Sequence, residues 1–174
     1  DYQKDRIKTF VNPLTDIQGA GYNAYQSMVT VGSGQLVGRG IGFGTQSRLQ
    51  FLPEYETDFI FAAFAEEWGF IGVVLLLACF SVLIFRILRE GVHGATNFET
   101  LFAIGVVLML VIPAVIHIGM NIGILPVTGT VLPFVSYGGS HLIVEFLALG
   151  MLSGMRRYRR AAHRDALRGE ILIQ

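Results

Sequence analysis

Glu54, Glu56 and Asp58 stand at alternate positions in Leu52-Pro53-Glu54-Tyr55-Glu56-Thr57-Asp58-Phe59-Ile60-Phe61, and the chain turns apolar directly after them. An ionised side chain costs about 2.5–3.5 kcal/mol at the centre of a bilayer on insertion scales. Asp58 is therefore expected where water gives way to hydrocarbon. Partial desolvation there makes a carboxylate a better base than one in open water. The structural counterpart is a helix N-cap, because an aspartate at a helix start accepts N–H bonds from the first turn. The two readings are compatible.

Other residues carry weaker chemical signals. Residues 32–44, Gly32-Ser33-Gly34-Gln35-Leu36-Val37-Gly38-Arg39-Gly40-Ile41-Gly42-Phe43-Gly44, hold six glycines in thirteen positions. Glycine lets backbone N–H groups approach an anion closely. A dinucleotide fingerprint also needs a βαβ context, and neither that nor a Gly-Lys-Ser/Thr is present. The first reading is a glycine-rich loop packed tightly against a membrane face. Arg39 and Arg48 on such loops are the candidates to meet a pyrophosphate. Glu54 reads first as an ion-pair partner of Arg48 and second as a substrate ligand. Ser136-Tyr137-Gly138-Gly139-Ser140 lacks a base in a triad pattern and reads as a tight turn, with Ser136 and Ser140 kept as substrate-binding candidates. His117 and His141 have no metal-ligand spacing. Cys79 alone excludes an intrachain disulfide and reads as a buried, inert thiol.

The elements that must position these residues follow from hydropathy. The chain is 52% hydrophobic and 15% charged, with a mean hydropathy of +0.55, whereas soluble domains are about 25% charged. Residues 1–58 hold five Lys/Arg and six Asp/Glu, and residues 156–168 hold six Arg against one Asp. Residues 100–144 contain no Asp, Glu, Lys or Arg, roughly twice the ~20 residues of one span, so the chain must turn inside them. The fold class expected is an all-α integral membrane protein. Its order is an extracytoplasmic loop with interfacial helices (1–58), a transmembrane helix (59–86), a cytoplasmic loop (87–99), a second transmembrane helix with Pro113 as a kink (100–120), an apolar extracytoplasmic or re-entrant loop (121–137), a last transmembrane helix (138–155) and a basic cytoplasmic tail (156–174). Residues 1–8 read as a short surface helix or strand ended by Asn12-Pro13, and Tyr22 and Tyr25 either as interfacial anchors or as aromatics packed beneath an ordinary loop helix. Glu66, Glu67 and Glu145 fall within the apolar segments, where carboxylates pair with a partner or face a wet cavity. Glu145 has no evident local partner. The arginine-rich tail satisfies the positive-inside rule, and three spans then place residues 1–58 outside. The chain opens on Asp rather than Met and reads as a fragment of a longer parent.

Two stretches resemble the SEDS family (shape, elongation, division and sporulation), its RodA branch in particular. One is Gln46-Ser47-Arg48-Leu49-Gln50-Phe51-Leu52-Pro53-Glu54 through Thr57-Asp58-Phe59-Ile60-Phe61-Ala62, continued by Glu66-Glu67-Trp68-Gly69. The other is Asn121-Ile122-Gly123-Ile124-Leu125-Pro126-Val127-Thr128-Gly129 with Leu132-Pro133-Phe134-Val135-Ser136-Tyr137-Gly138-Gly139-Ser140. The resemblance implies the C-terminal part of a ten-helix polymerase of the bacterial cytoplasmic membrane. Such a protein joins lipid II disaccharides into peptidoglycan glycan strands during cell-wall elongation, with a class B penicillin-binding protein as partner and no nucleic acid. Asp58 matches the family's essential aspartate in Thr-Asp-Phe. His141 stands where the family commonly has a second serine. Glu66 and Glu67 are then expected as polar glue to helices outside this chain.

The implied reaction is glycosyl transfer from a lipid pyrophosphate. That leaving group departs as an anion and needs cationic stabilisation rather than a general acid, so one base suffices, unlike the carboxylate pair of a glycosidase. The residues name no definite cofactor; a metal could supply that stabilisation, and a divalent cation, Mg or Mn, held by Asp58 and substrate phosphates is compatible with the chemistry. The alternatives are a flippase for the lipid-linked precursor, with Glu66, Glu67 and Glu145 along its path, or a non-catalytic scaffold for a penicillin-binding protein. The fragment alone is expected to be inactive.

Overall fold

The computed structural model describes residues 20–48, 54–94 and 96–171, the side chains of residues 20, 47, 48 and 159–171 excepted. The expected elements at 1–8 and the break at Asn12-Pro13 lie outside the described residues. Every regular element among those described is helical: α1 Ala20–Ser33, α2 Thr45–Arg48, α3 Ile60–Val92, α4 Asn97–Asn121 and α5 Gly139–Ile171.

Two of these, α3 and α4, are long and apolar enough to cross a membrane, and only 11% and 28% of their most apolar windows are buried by the rest of the chain. Core helices of soluble proteins are mostly buried, whereas these lie largely uncovered by the rest of this chain. Phe70, Ile71, Leu75, Val82 and Phe85 of α3 and Leu101, Leu108, Ile112 and Val115 of α4 point outward. Cys79, expected to be buried, lies exposed on α3 as well. The third helix carries His141 and Glu145 near its start and does not stop near 155. It runs on through the arginine-rich segment to Ile171, where Arg, Ala, Leu and Glu are good helix formers.

Thr96 opens α4 by accepting Glu99 N–H on its hydroxyl at 3.3 Å, and Glu99 in the first turn suits the helix dipole. The α3–α4 hairpin closes tightly: a Cβ on Gly91 would lie 2.7 Å from the Ala103 Cβ, and Thr100 Oγ1 donates to Gly91 O at 2.9 Å. Beside this contact Ile87, Ala103, Val106, Val107, Leu110 and Ala148 form a buried cluster. At the other end Phe61, Ala114 and Leu132 pack together, and Phe59 and Ala62 bury against Val31, Tyr55 and Val127. Lipid is as apolar as these side chains, so close packing and hydrogen bonds, rather than exclusion of water, hold spanning helices together.

Pro113 lies within α4, while it is α3 that breaks, at Gly69 with φ 68° and ψ −169°. A broken spanning helix leaves N–H and C=O groups that hydrocarbon cannot satisfy. The glycine-rich loop supplies their partners. Phe70 N donates to Gln35 O (2.9 Å) and Ile71 N to Leu36 O (3.1 Å), while Glu66 O accepts from Arg39 N (2.9 Å) and Glu67 O from Gly40 N (3.0 Å). The fit is backbone against backbone. A Cβ on Gly34 would stand 1.9 Å from Ala65 O, and one on Gly38, where φ is +83°, 2.1 Å from Glu67 O.

The carboxylates at this break bind the same loop, so both have partners within this chain. Glu66 is fully buried, and its Oε1 accepts from Gln46 N at 3.0 Å and Thr45 Oγ1 at 3.2 Å. Glu67 Oε1 accepts from Gly42 N at 3.1 Å. The glycines serve close backbone approach to the broken helix.

Candidate active site

Asp58 lies in the turn over residues 54–59 that precedes α3, and it is partly exposed. Thr57 N and Phe59 N both donate to Glu54 O at 3.2 Å. Glu54 itself has φ 54°, the left-handed region that non-glycine residues seldom occupy. Thr57 Oγ1 donates to Glu54 Oε2 at 3.1 Å. The residue at the N-cap is Phe59, with no side-chain hydrogen bond. The N-cap reading of Asp58 is thus corrected by one residue, because the 54–59 turn supplies Phe59 as the cap.

Three consecutive carbonyls of this turn are each held by a different donor. Glu56 O accepts from Tyr137 N at 2.9 Å, Thr57 O from Ser136 Oγ at 3.0 Å and Asp58 O from Asn121 Nδ2 at 3.1 Å. The donors come from the 122–138 loop and from the end of α4, so the turn is tied to both.

Asn121 is the centre of this arrangement. Fully buried, it also donates Nδ2 to His117 O at 2.8 Å, and its Oδ1 accepts from Ala62 N at 3.2 Å and Ser27 Oγ at 3.2 Å. An amide has two donors and one two-fold acceptor, and all are engaged. Ser27, itself buried, also donates to Asn121 O at 3.0 Å, which brings α1 into the same knot. Ser136 Oγ accepts from Leu132 N at 2.7 Å while donating to Thr57 O. His117 donates Nδ1–H to Thr130 O at 2.6 Å, the tautomer following from that contact. Its Nε2 is buried with no partner among the described residues.

The Asp58 carboxylate rests beside Gly129: a Cβ there would stand 3.4 Å from Asp58 Oδ2, and Gly129 has φ +70°. Glu56 accepts from the Tyr55 hydroxyl at 3.1 Å. That hydrogen bond first, then the Glu56 charge and slight burial, holds the Tyr55 phenol above the usual 10.0.

The remaining sequence candidates fall in different places. Arg39 is exposed and donates to Ser33 O at 3.4 Å and Thr45 Oγ1 at 3.0 Å, beside the α3 break. Arg48 closes α2, and its side chain lies outside the described residues, as does any Glu54–Arg48 pair. Ser140 is exposed in the first turn of α5. Ser136 and Glu54 therefore share the Asp58 turn, whereas the polar contacts of Arg39 are made at the break.

Glu145 has a partner after all. His141 Nδ1 stands 2.6 Å from its Oε1, and its Oε2 accepts from Phe134 N at 3.0 Å. Phe134 has φ 60°, a conformation costing of order 1–3 kcal/mol unless its surroundings fix it. The sequence places Asn121 within a family-like stretch but does not show its contact with Ser27. A polar amide ending an apolar run was the available sign.

Two apolar helices that present outward faces, one broken and plugged by a loop, and a carboxylate-bearing turn knotted at their end define a helical integral membrane protein. The profile of the FtsW/RodA/SpoVE family, described as cell cycle proteins, matches residues 1–161. Over 160 residues the chain is 46% identical to the peptidoglycan glycosyltransferase MrdB of Escherichia coli K12, covering 92% of this chain and 43% of that protein. Over 161 residues it is 44% identical to stage V sporulation protein E of Bacillus subtilis, covering 91% and 43%. Among solved structures it is similar to a chain of a peptidoglycan synthase complex that coordinates polymerization and crosslinking (TM-score 0.68, 33% identity, 87% of this chain and 40% of that one). It is also similar to a mutant of the rod shape-determining protein RodA of Thermus thermophilus (TM-score 0.56, 37% identity, 67% and 36%). The chain belongs to the FtsW/RodA/SpoVE family, and it spans less than half the length of these relatives.

Proposed function

We propose that this chain is the C-terminal part of a peptidoglycan glycosyltransferase that polymerises lipid II, with Asp58 as the reacting carboxylate. The observation that carries the reading is the turn itself: three successive carbonyls, Glu56, Thr57 and Asp58, are fixed by Tyr137, Ser136 and Asn121. A pre-positioned base removes orientational freedom before the reaction begins. The 4-hydroxyl of one sugar attacks the anomeric carbon of the next, Asp58 takes the hydroxyl proton, and the lipid pyrophosphate leaves as an anion.

Asn121 and Ser136 act through the turn and are positioning residues. Arg39, Arg48, Glu54 and Ser140 are the candidates for substrate contact. Among the described residues no three His, Cys, Asp or Glu side chains gather to hold a metal ion. A magnesium-type ion uses one or two carboxylates plus substrate phosphates, so Asp58 fits as a single ligand, and the ion would neutralise charge on the pyrophosphate. The wider architecture of the proposal has α5 as a third span, the C-terminus cytoplasmic, the Asp58 turn outside, and the chain within a ten-helix bundle beside a class B penicillin-binding protein. The transport reading loses its footing, because Glu66 and Glu145 each bind partners inside this chain.

The test is reconstitution of the full-length protein with its penicillin-binding partner in vesicles containing lipid II. Glycan polymer is the expected product. Lipid II movement between leaflets without polymer would show transport instead.

A further inference from the structure

The end of α3 remote from Asp58 holds a cleft of about 600 Å³ lined by Val82, Phe85, Arg86, Arg89, Glu90, His93 and Arg156. Its size is that of a small-molecule site. Three guanidiniums face one carboxylate. Arg156 bridges Glu90 at 2.9 Å, with both side chains still partly exposed. Arg86 and Arg89 are exposed and make no side-chain hydrogen bond or ion pair among the described residues. The cleft therefore carries a surplus of positive charge. His93 is fixed at its rim by the contact of Nδ1 with Arg89 O at 2.7 Å.

The wall of the cleft identifies the ligand's other half. Val82 and Phe85 are 59% and 65% exposed, and they continue the outward apolar face of α3 through Leu75 and Val74. A soluble anion would use the arginines alone. An anionic phospholipid would use both features, its phosphate between the guanidiniums and its acyl chains along Val82 and Phe85. Arginine's planar fork suits phosphate oxygens, and basic pockets between spanning helices bind acidic head groups. We infer that this cleft is a binding site for an anionic phospholipid, separate from the Asp58 turn. The inference rests on α3 spanning the membrane and on this cleft staying open to lipid in the full-length protein, not on Asp58 being catalytic.

The test uses the full-length protein in nanodiscs of phosphatidylcholine doped with phosphatidylglycerol, with retained lipid read by native mass spectrometry. Wild type is expected to retain phosphatidylglycerol selectively. Arg86→Gln with Arg89→Gln is expected to lower that preference by about twenty-five-fold, each arginine near a membrane surface contributing roughly fivefold. Glu90→Gln, which removes the competing carboxylate, is expected to raise it and supplies a reading should the double variant fail to fold. Unchanged retention in Glu90→Gln and in a folded double variant overturns the inference. Displacement of the lipid by millimolar inorganic phosphate would assign the cleft to a soluble anion and overturn it as well.

Discussion

The two ends of α3 treat polar groups in opposite ways. At the Asp58 end, buried Asn121, Ser27 and Ser136 direct most of their hydrogen bonds at backbone, and the carbonyls of the 54–59 turn are held by Asn121, Ser136 and Tyr137. At the far end, the guanidiniums of Arg86 and Arg89 stand exposed around a cleft, and a single ion pair joins Arg156 to Glu90. The contrast separates two jobs. Donors aimed at carbonyls hold a chain in place, whereas exposed cations remain available to something that comes from outside. A buried polar group left unmatched costs about 1–3 kcal/mol, and an exposed charge costs almost nothing to rearrange.

The sharpest way to break the ordered end is at its support. Gly38→Ala sets a Cβ 2.1 Å from Glu67 O in a residue with φ +83°. The full-length protein is expected to lose at least about 3 kcal/mol of stability, overpacking and a left-handed alanine adding together. A thermal unfolding curve in detergent that coincides with wild type would show that the plug is loose.

Next comes Asn121→Ala, which strips donors or acceptors from Asp58 O, Ala62 N and Ser27 Oγ. Its effect is expected on polymerisation rate at saturating lipid II, about ten- to a hundredfold, with the substrate concentration dependence little changed. A change confined to KM would move Asn121 from positioning to substrate binding. Ser136→Ala removes one hydroxyl between Leu132 N and Thr57 O and is expected to cost about 1–2 kcal/mol in stability, read by chemical unfolding.

The smallest effect is electrostatic. Glu56→Gln is expected to lower the Tyr55 phenol towards 10.0, because Glu56 is both the first and second cause of its elevation. A phenol raised in the folded state binds more protons than the unfolded one. Its contribution to stability is therefore complete below pH 10 and is lost as pH rises through the folded value. Ultraviolet titration of wild type against the variant reads the shift directly, and identical curves would remove Glu56 as its cause.

The sequence made the Asp58 boundary legible, since a charged run meeting an apolar one is a pattern along the chain. The α3 break was not legible. Gly69 looks like any glycine in an apolar span, and the partners of Phe70 and Ile71 after it, Gln35 and Leu36, are far away in sequence and bind through backbone that no side chain advertises. The role of Asn121 was not legible either, because its contacts reach Ser27 and Asp58, both far away in sequence. The His141–Glu145 pair was within reach of sequence reasoning. Residues four apart on a helix are neighbours, and His141 and Glu145 stand at that spacing.

One measurement bears most directly on the central claim that Asp58 is the reacting carboxylate. It is the initial rate of lipid II polymerisation by the reconstituted full-length protein carrying Asp58→Asn, with folding and partner binding verified. Asparagine keeps the size of the side chain and leaves the carbonyl held by Asn121 in place, so only the basic oxygen is removed. The predicted result is a fall of about a hundredfold or more, the usual contribution of a general base. A rate equal to wild type would contradict the account.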